Sequence, residues 1–328
     1  MSTRTMKAIR VAECGGPEKL TLEQIPVPQP AAGQALVRIA AIGVNFIDIY
    51  FRSGLYKAEL PFTPGMEASG VVEEVGEGVS DLAPGDRVAY AMQRGSYAEY
   101  AVVPAWQLVK IPAGVSFELA AACMLQGMTA HYLTHSTFPL SPSHTALIHA
   151  AAGGAGQLIV QMAKMRGATV IGTVGSPEKA LEAKAAGADH VILYNEQDFA
   201  AEAQSLTGGK GVDVVYDSVG ASTFQKSLNS LRPRGMMVTF GNASGAVPAI
   251  EPLLLNTKGS LFLTRPTLAH HCLDKQELNW RAGDVLGWIA SGKLKIHIGG
   301  TYKLADVANA HIALASRKTT GKLLLSLD

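Results

Sequence analysis

The sequence predicts an α/β protein in which a doubly wound parallel sheet is inserted into a mostly-β domain. Three observations carry this: a buried β-run that breaks into glycines at residues 145–156, strands alternating with helical periods after it, and short strands divided by Gly- and Pro-rich turns before it. The central stretch reads Thr-Ala-Leu-Ile-His-Ala-Ala-Ala-Gly-Gly-Ala-Gly and passes at once into a helical run, Gln157 to Met165. It approximates the GxGxxG spacing with Ala151, Gly153 and Gly156 at the marked places. Gly153 would let the backbone approach an anion, Gly156 would let the helix pack on its strand, and the first turn of the helix offers unpaired N–H groups. An ordinary tight strand-to-helix turn reads the same way unless a βαβ repeat follows.

The repeat does follow. Thr169 to Val174 is a β-branched run, Pro177 to Ala186 a helix with proline in its first turn, and His190 to Tyr194 a third strand. Asp198 to Leu206 reads as helix, Val212 to Asp217 as strand, Thr223 to Leu231 as helix, and Met236 to Phe240 and Ser260 to Thr264 as the last strands. In such a sheet the ligand lies across the carboxyl ends of the strands, which places Thr173 to Ser176, Asp217 to Gly220 and Phe240 to Asn242 beside it. A site for NAD usually carries Asp or Glu at the end of the second strand to hold the ribose 2′-hydroxyl. Here Thr173, Val174, Gly175 and Ser176 are followed by Lys179, so no carboxylate repels a 2′-phosphate and NADPH is the expected cofactor.

From Met6 to Ile111 the period is that of short strands: Lys7 to Val11, Leu20 to Gln24, Ala35 to Ile42, Ala68 to Val75, Arg87 to Tyr90, Tyr97 to Val103 and Leu108 to Ile111. The reading is an all-β unit, joined to the sheet by an apolar helix, Phe117 to Leu133. After Thr264 come a long helix from about Asp274 to Ser291, a short strand near Ile296, a helix from Asp306 to Ala315 and a strand from Lys322 to Leu327. That tail has too few strands to stand alone and is expected to return to the first unit. The expected division is 1–123 and 265–328 for the outer domain and 124–264 for the inserted one.

Composition excludes several classes. With 328 residues, 28 basic against 27 acidic side chains and a net charge of +1, the chain lacks the basic surface of a nucleic-acid-binding protein. Three cysteines, Cys14, Cys123 and Cys272, with no CxxC pair, argue against a disulfide framework and for a reducing, cytoplasmic setting. No apolar run is long enough and unbroken enough to span a bilayer.

Six segments together resemble the medium-chain dehydrogenase/reductase superfamily, and within it the zinc-free NADPH quinone oxidoreductases, the group that includes zeta-crystallin. They are Gly43-Val44-Asn45-Phe46-Ile47-Asp48, Pro64-Gly65-Met66-Glu67-Ala68-Ser69-Gly70, Pro84-Gly85-Asp86-Arg87-Val88, His149 to Gly156, Tyr216-Asp217-Ser218-Val219-Gly220 and Phe240-Gly241-Asn242. The resemblance implies a Rossmann sheet inserted into a GroES-like catalytic domain. It also implies what is missing: zinc-dependent relatives carry a cysteine where Asn45 stands and a histidine where Met66 stands, and an amide and a thioether do not replace those ligands. The cysteine-rich structural-zinc lobe has no counterpart either. No metal is expected at His131 and His135, which lack the glutamate of HExxH, or at the adjacent His270, His271 and Cys272, whose side chains diverge.

Without a metal, the oxygen that gains charge during hydride transfer needs hydrogen-bond donors or a proton source. The resemblance nominates Asn45, Asp48, Tyr50 and Tyr56 for the catalytic cleft, with Asn45 also facing the cofactor. It places Gln126 and Thr129 near the nicotinamide or diphosphate, and Ala152, Gly153, Gly154, Ala155 and Gly156 at the phosphate turn. Gly175, Ser176, Lys179, Tyr194 and Arg317 fall around the 2′-phosphate, and Ser218, Phe240, Gly241, Asn242 and Arg265 on the nucleotide side of the cleft. Some relatives have a lysine where Gln126 stands, so a catalytic ammonium is not expected there.

The activity implied is NADPH-dependent reduction of quinones. Reduction of α,β-unsaturated carbonyls makes similar demands, and an NADPH-binding structural or RNA-binding role is the non-enzymatic alternative, disfavoured by the near-neutral charge. A homodimer is expected through Ser260 to Thr264, the last strand of the sheet, whose edge would otherwise be exposed.

Overall fold

A computed structural model describes residues 4–327, which divide into two compact units. One comprises residues 4–128 and 271–327, the other residues 129–270. The division falls a few residues beyond the 123/124 and 264/265 boundaries read from the sequence.

The first unit begins with β1 (Thr5–Arg10), β2 (Thr21–Pro26) and β3 (Gln34–Val44), followed by α1 (Phe46–Arg52), β4 (Glu67–Val75), β5 (Arg87–Ala91), β6 (Tyr100–Pro104), β7 (Val109–Lys110) and α2 (Phe117–Tyr132). The second contains β8 (Thr145–His149), α3 (Gly154–Met165), β9 (Thr169–Val174), α4 (Pro177–Ala185), β10 (His190–Leu193), α5 (Phe199–Leu206), β11 (Val212–Asp217), α6 (Phe224–Ser230), β12 (Leu231–Thr239), α7 (Leu253–Thr257) and β13 (Phe262–Thr264). The chain then returns to the first unit through α8 (Lys275–Ala290), β14 (Ile298–Lys303), α9 (Val307–Ala315) and β15 (Lys322–Ser326).

In the second unit six parallel strands are ordered β10-β9-β8-β11-β12-β13. Successive strands step outward from β8 on one side and then, from β11, on the other. The crevice at the carboxyl ends of β8 and β11 is therefore the point where strand order reverses. Ala146, Leu147, Ile148, Val214 and Val215 are wholly buried, as expected of central strands covered on both faces. Helix starts are fixed locally: Ser176 and Asp198 cap α4 and α5 with their side chains, and Pro177 opens α4.

The first unit holds a seven-stranded sheet, β14-β15-β3-β4-β5-β7 with β6 also on β3, antiparallel except for β14 and β15, beside the β1–β2 pair. Ile39, Ile42, Val72, Val103, Leu323 and Leu325 meet in its core. The tail joins this sheet through β14 and β15, and the strand placed near Ile296 begins at Ile298.

The all-β reading of the first hundred residues is corrected by α1. Its nearly continuous apolar run Phe-Ile-Asp-Ile-Tyr-Phe is too short to show a period, but Asp48 accepts a hydrogen bond from the Asn45 N–H at 2.8 Å and nucleates a helical turn. Also unforeseen was α7, a single short turn of helix.

Candidate functional site

Two polar clusters, one in each unit, hold many of the residues singled out by sequence, while Tyr50, Tyr56 and Arg317 lie outside them. In the first unit, β3 delivers Asn45 to the start of α1, and a buried chain of side chains grows from that point. Lys322 Nζ donates to Asn45 Oδ1 at 2.7 Å and to Glu67 Oε2 at 2.5 Å, an ion pair almost wholly removed from solvent. Asn45 Nδ2 donates to Glu67 Oε2 at 2.8 Å and to Gly43 O at 3.3 Å, while Leu125 N–H reaches Glu67 Oε1 at 2.6 Å.

A second branch runs through Asp48, Tyr97, His311 and Arg52, all buried. Arg52 Nη1 lies 3.1 Å from His311 Nδ1, and a guanidinium only donates, so Nδ1 accepts and the imidazole proton sits on Nε2. That Nε2 lies 3.0 Å from the Tyr97 hydroxyl, which in turn donates to Asp48 Oδ2 at 2.9 Å. Every donor therefore points toward the Asp48 carboxyl. Burial pushes Asp48 up to about 7, against the pull of the bonds from Asn45 and Tyr97. Burial and then the Arg52 cation push His311 down to about 3, which keeps it neutral.

Two of the residues expected in the catalytic cleft have polar atoms engaged within the protein. Asn45 was expected to donate to a reacting oxygen, but both its amide hydrogens are committed to Glu67 and Gly43, and its oxygen accepts from Lys322 and from Gln126 Nε2 at 3.4 Å. Asp48 is fully buried and braces α1 through the bond from Asn45 N–H.

Tyr50 is buried, with its ring against Phe46 and Tyr56. Tyr56 is half-buried, its ring edge-on to Tyr50 at 5.3 Å and to Phe51 at 5.7 Å, and its hydroxyl has no hydrogen-bond partner among the described residues. Gln126 leaves its Oε1 buried and unpartnered. Arg317 stands exposed after α9 with φ of 57°.

Sequence reasoning passed over Tyr97, His311, Arg52 and Lys322. It quoted Glu67 within a motif without a role. Only Asn45 and Asp48, at capping-box spacing, gave a local signal.

In the second unit the turn after β8 is built by exclusion. Ala150 turns at φ 50°, and its carbonyl accepts from Gly153 N–H at 2.8 Å. A Cβ on Gly156 would stand 2.1 Å from that same carbonyl oxygen, and one on Gly153 3.2 Å from it. Ala151 and Ala152 are buried, Gly154 and Ala155 form the first turn of α3, and no side chain caps that helix. Its leading N–H groups and the positive end of the helix dipole form a seat for an anion.

Gly175, Ser176, Lys179 and Tyr194 come together beyond β9: Ser176 Oγ accepts from Lys179 N–H, and a Cβ on Gly175 would meet Tyr194 Oη at 2.8 Å. Asp217 shapes the next turn, accepting from Val219 and Gly220 N–H at 2.7 and 3.0 Å and from Thr223 Oγ1 at 2.7 Å. A Cβ on Gly241 would lie 2.3 Å from Ser218 O, so Ser218 and Gly241 pack backbone to backbone, with Phe240 just before them. Arg265 Nη1 donates to Gly241 O at 3.2 Å, and Asn242, with its amide oxygen turned toward Arg265, accepts from Nη2 at 3.2 Å. Thr129 is buried on the last turn of α2. Thr239, unforeseen from sequence, presents a buried hydroxyl without a partner at the end of β12.

Glycines that a Cβ would clash with and an uncapped helix start fit a dinucleotide phosphate, and beyond β9 the nearest carboxylate in sequence, Glu178, is hydrogen-bonded to Ser176. Among the described residues no three His, Cys, Asp or Glu side chains converge on a metal position. The rings of His131 and His135 stack on each other at 4.3 Å.

Comparison with known proteins agrees with both units. The profile described as alcohol dehydrogenase GroES-like domain matches residues 31–113, and that described as zinc-binding dehydrogenase matches residues 154–278. A quinone oxidoreductase of Pseudomonas aeruginosa is 45% identical over 97% of this chain and 99% of its own. A 2-haloacrylate reductase of a Burkholderia species is 43% identical over 95% and 96%. The crystal structure of Escherichia coli quinone oxidoreductase complexed with NADPH superposes with a TM-score of 0.96 at 44% identity, covering 98% of this chain and 99% of that one.

Proposed function

This chain belongs to the quinone oxidoreductase family of the medium-chain dehydrogenases/reductases, and from that premise we propose that it reduces quinones with NADPH in a site that uses no metal ion. The observation that carries the reading is the β8–α3 turn, where Gly156 sits so close to the Ala150 carbonyl that no side chain fits. Ala152, Gly153, Gly154, Ala155 and Gly156 would hold the diphosphate by backbone N–H groups. Gly175, Ser176, Lys179 and Tyr194, with Arg317, would hold the 2′-phosphate. Ser218, Phe240, Gly241, Asn242, Arg265, Gln126 and Thr129 would flank the rest of the cofactor, which supplies a hydride when bound.

The chain's own contribution to the chemistry is orientation and a hydrogen bond. Tyr56, whose hydroxyl is uncommitted, is the donor to the oxygen that gains charge, and Tyr50 supports its ring. Asn45, held by Lys322 and Glu67, shapes the wall. A quinone is electrophile enough that proximity carries much of the rate. Reduction of an activated alkene beside a carboxylate is a second reading, supported by the similarity to a 2-haloacrylate reductase.

The exposed edge at β13, with Phe262 58% exposed, supports a homodimer through residues 260–264. No helix among the described residues is long and apolar enough to cross a membrane, and a cytoplasmic location suits the unpaired cysteines.

Calorimetric titration of NADPH and NADH tests the cofactor site. Replacing Lys179 and Arg317 by Ala together is expected to weaken NADPH by about a hundredfold, at roughly tenfold per lost charged contact, and NADH by less than about threefold. Equal losses for the two cofactors would remove the 2′-phosphate pocket, and failure of NADPH to bind wild-type protein would remove the function.

A further inference from the structure

The guanidinium of Arg94, one ring removed from Tyr56, is used neither by the hydrogen bonding of the fold nor by the proposed chemistry. It lies on the turn after β5, which is pinned at both ends to the segment before β4. Met92 N–H donates to Met66 O at 2.8 Å, and Gly95 and Ser96 N–H donate to Gly65 O at 2.9 and 3.1 Å. Met92, at φ 67°, and Gly95, at φ 116°, both take left-handed backbone to make the turn. The turn is therefore a built feature, fixed against the residues that lead into Glu67.

Arg94 itself is half-buried and stacks over two rings, 5.3 Å from the centroid of Phe51 and 5.4 Å from that of Phe62. Phe51 is the ring on which Tyr56 packs at 5.7 Å. Stacking holds the cation through the ring faces and leaves its N–H donors unspent, and among the described residues none of them has a carboxylate or carbonyl acceptor. Other half-buried arginines of this unit are engaged: Arg10 donates to Thr63 and Pro61 O, and Arg87 donates to Val115 O. The segment that carries Tyr56 also exposes Leu55 and Leu60, an apolar surface for a flat acceptor.

We propose that Arg94 is a specificity-determining residue of the acceptor site, selecting planar acceptors that carry a carboxylate or sulfonate. This rests on the quinone reductase reading for the reaction, but it concerns a different residue and a different preference. A planar guanidinium fixed by two rings presents paired N–H donors to a two-oxygen anion, a geometry that a flexible lysine does not reproduce.

The test compares 1,2-naphthoquinone with its 4-sulfonate in wild type, Arg94→Met and Arg94→Lys. Met keeps the apolar stem over Phe51 while removing the charge. For Arg94→Met, kcat/KM is expected to fall about tenfold for the sulfonate and to stay within about twofold for the neutral quinone. Arg94→Lys should recover only part of the loss, and added salt should slow the sulfonate alone. Calorimetric binding of anthraquinone-2-sulfonate to the NADPH-loaded protein gives a readout free of turnover, and Arg94→Met should weaken it by a similar factor. A fall shared by both quinones, or by neither, overturns the assignment. If wild type reduces no quinone at all, the quinone reading fails, and the anthraquinone-2-sulfonate titration alone decides for or against Arg94.

Discussion

Around Asp48 the first unit gathers ionisable side chains, and around Gly156 the second removes side chains altogether. The first cluster is a set of long-range pairings: Lys322, Glu67 and Asn45 in one branch, Arg52, His311, Tyr97 and Asp48 in the other. The second presents backbone N–H groups where α3 begins, and at the end of β8 burial lowers the pKa of His149, which bridges Thr173 and Ser227 at 2.8 Å on either side. A network of charges is rigid because each member is costly to leave alone, whereas a bare turn is open because nothing occupies it. The difference suits a wall that must not move and a seat that must stay free.

The largest expected effect breaks the wall. Lys322→Met strands the Glu67 carboxylate in the core and is expected to cost about 3–5 kcal/mol in urea unfolding, whereas adding Glu67→Gln should restore much of that. A double variant no more stable than the single one would show that the pair is not energetically coupled.

Gly156→Ala sharpens the contrast from the other side. A methyl 2.1 Å from Ala150 O must push α3 away from β8, at a cost of about 1–3 kcal/mol. NADPH affinity is expected to drop about tenfold or more. Unchanged calorimetric affinity would mean that the turn is not the seat.

The smallest effect lies in the pH profile of wild-type stability. Folding raises Asp48 from 3.8 to about 7, so the stability it contributes is complete below about pH 4 and is lost as pH rises to 7. Folding lowers His311 from 6.5 to about 3, so its contribution is complete above about pH 6.5 and is lost as pH falls toward 3. The two slopes oppose each other between pH 4 and 6.5 and leave a shallow wild-type profile. Asp48→Asn removes the falling arm and should expose a rise in stability of at least on the order of 1 kcal/mol across that window. Denaturation midpoints that stay level with pH in that variant would refute the arrangement.

The same contrast explains what could be read from the sequence. The turn after β8 was legible because steric exclusion is local: Gly153 and Gly156, read with Ala151 from their spacing, lie within one turn of chain of the Ala150 carbonyl they approach, and strand and helix periods flank them. The buried polar network was not legible, because Tyr97 meets His311 across 214 positions and Lys322 meets Asn45 across 277. No periodicity links such residues. Asn45 was seen, but its amide looked available because the lysine that claims its oxygen arrives on β15. Helix α1 was hidden for a nearer reason, since a short, almost continuous apolar run of six residues fits either period.

The late arrival of Lys322 also has a consequence for biosynthesis. A ribosome delivers Glu67 255 residues ahead of the ammonium that neutralises it. Until β15 emerges, burying that carboxylate would carry the full cost of an uncompensated ion, so the nascent first unit must leave this corner hydrated. Completion of the first unit thus waits for its C-terminal segment, which brings both His311 on α9 and Lys322 on β15.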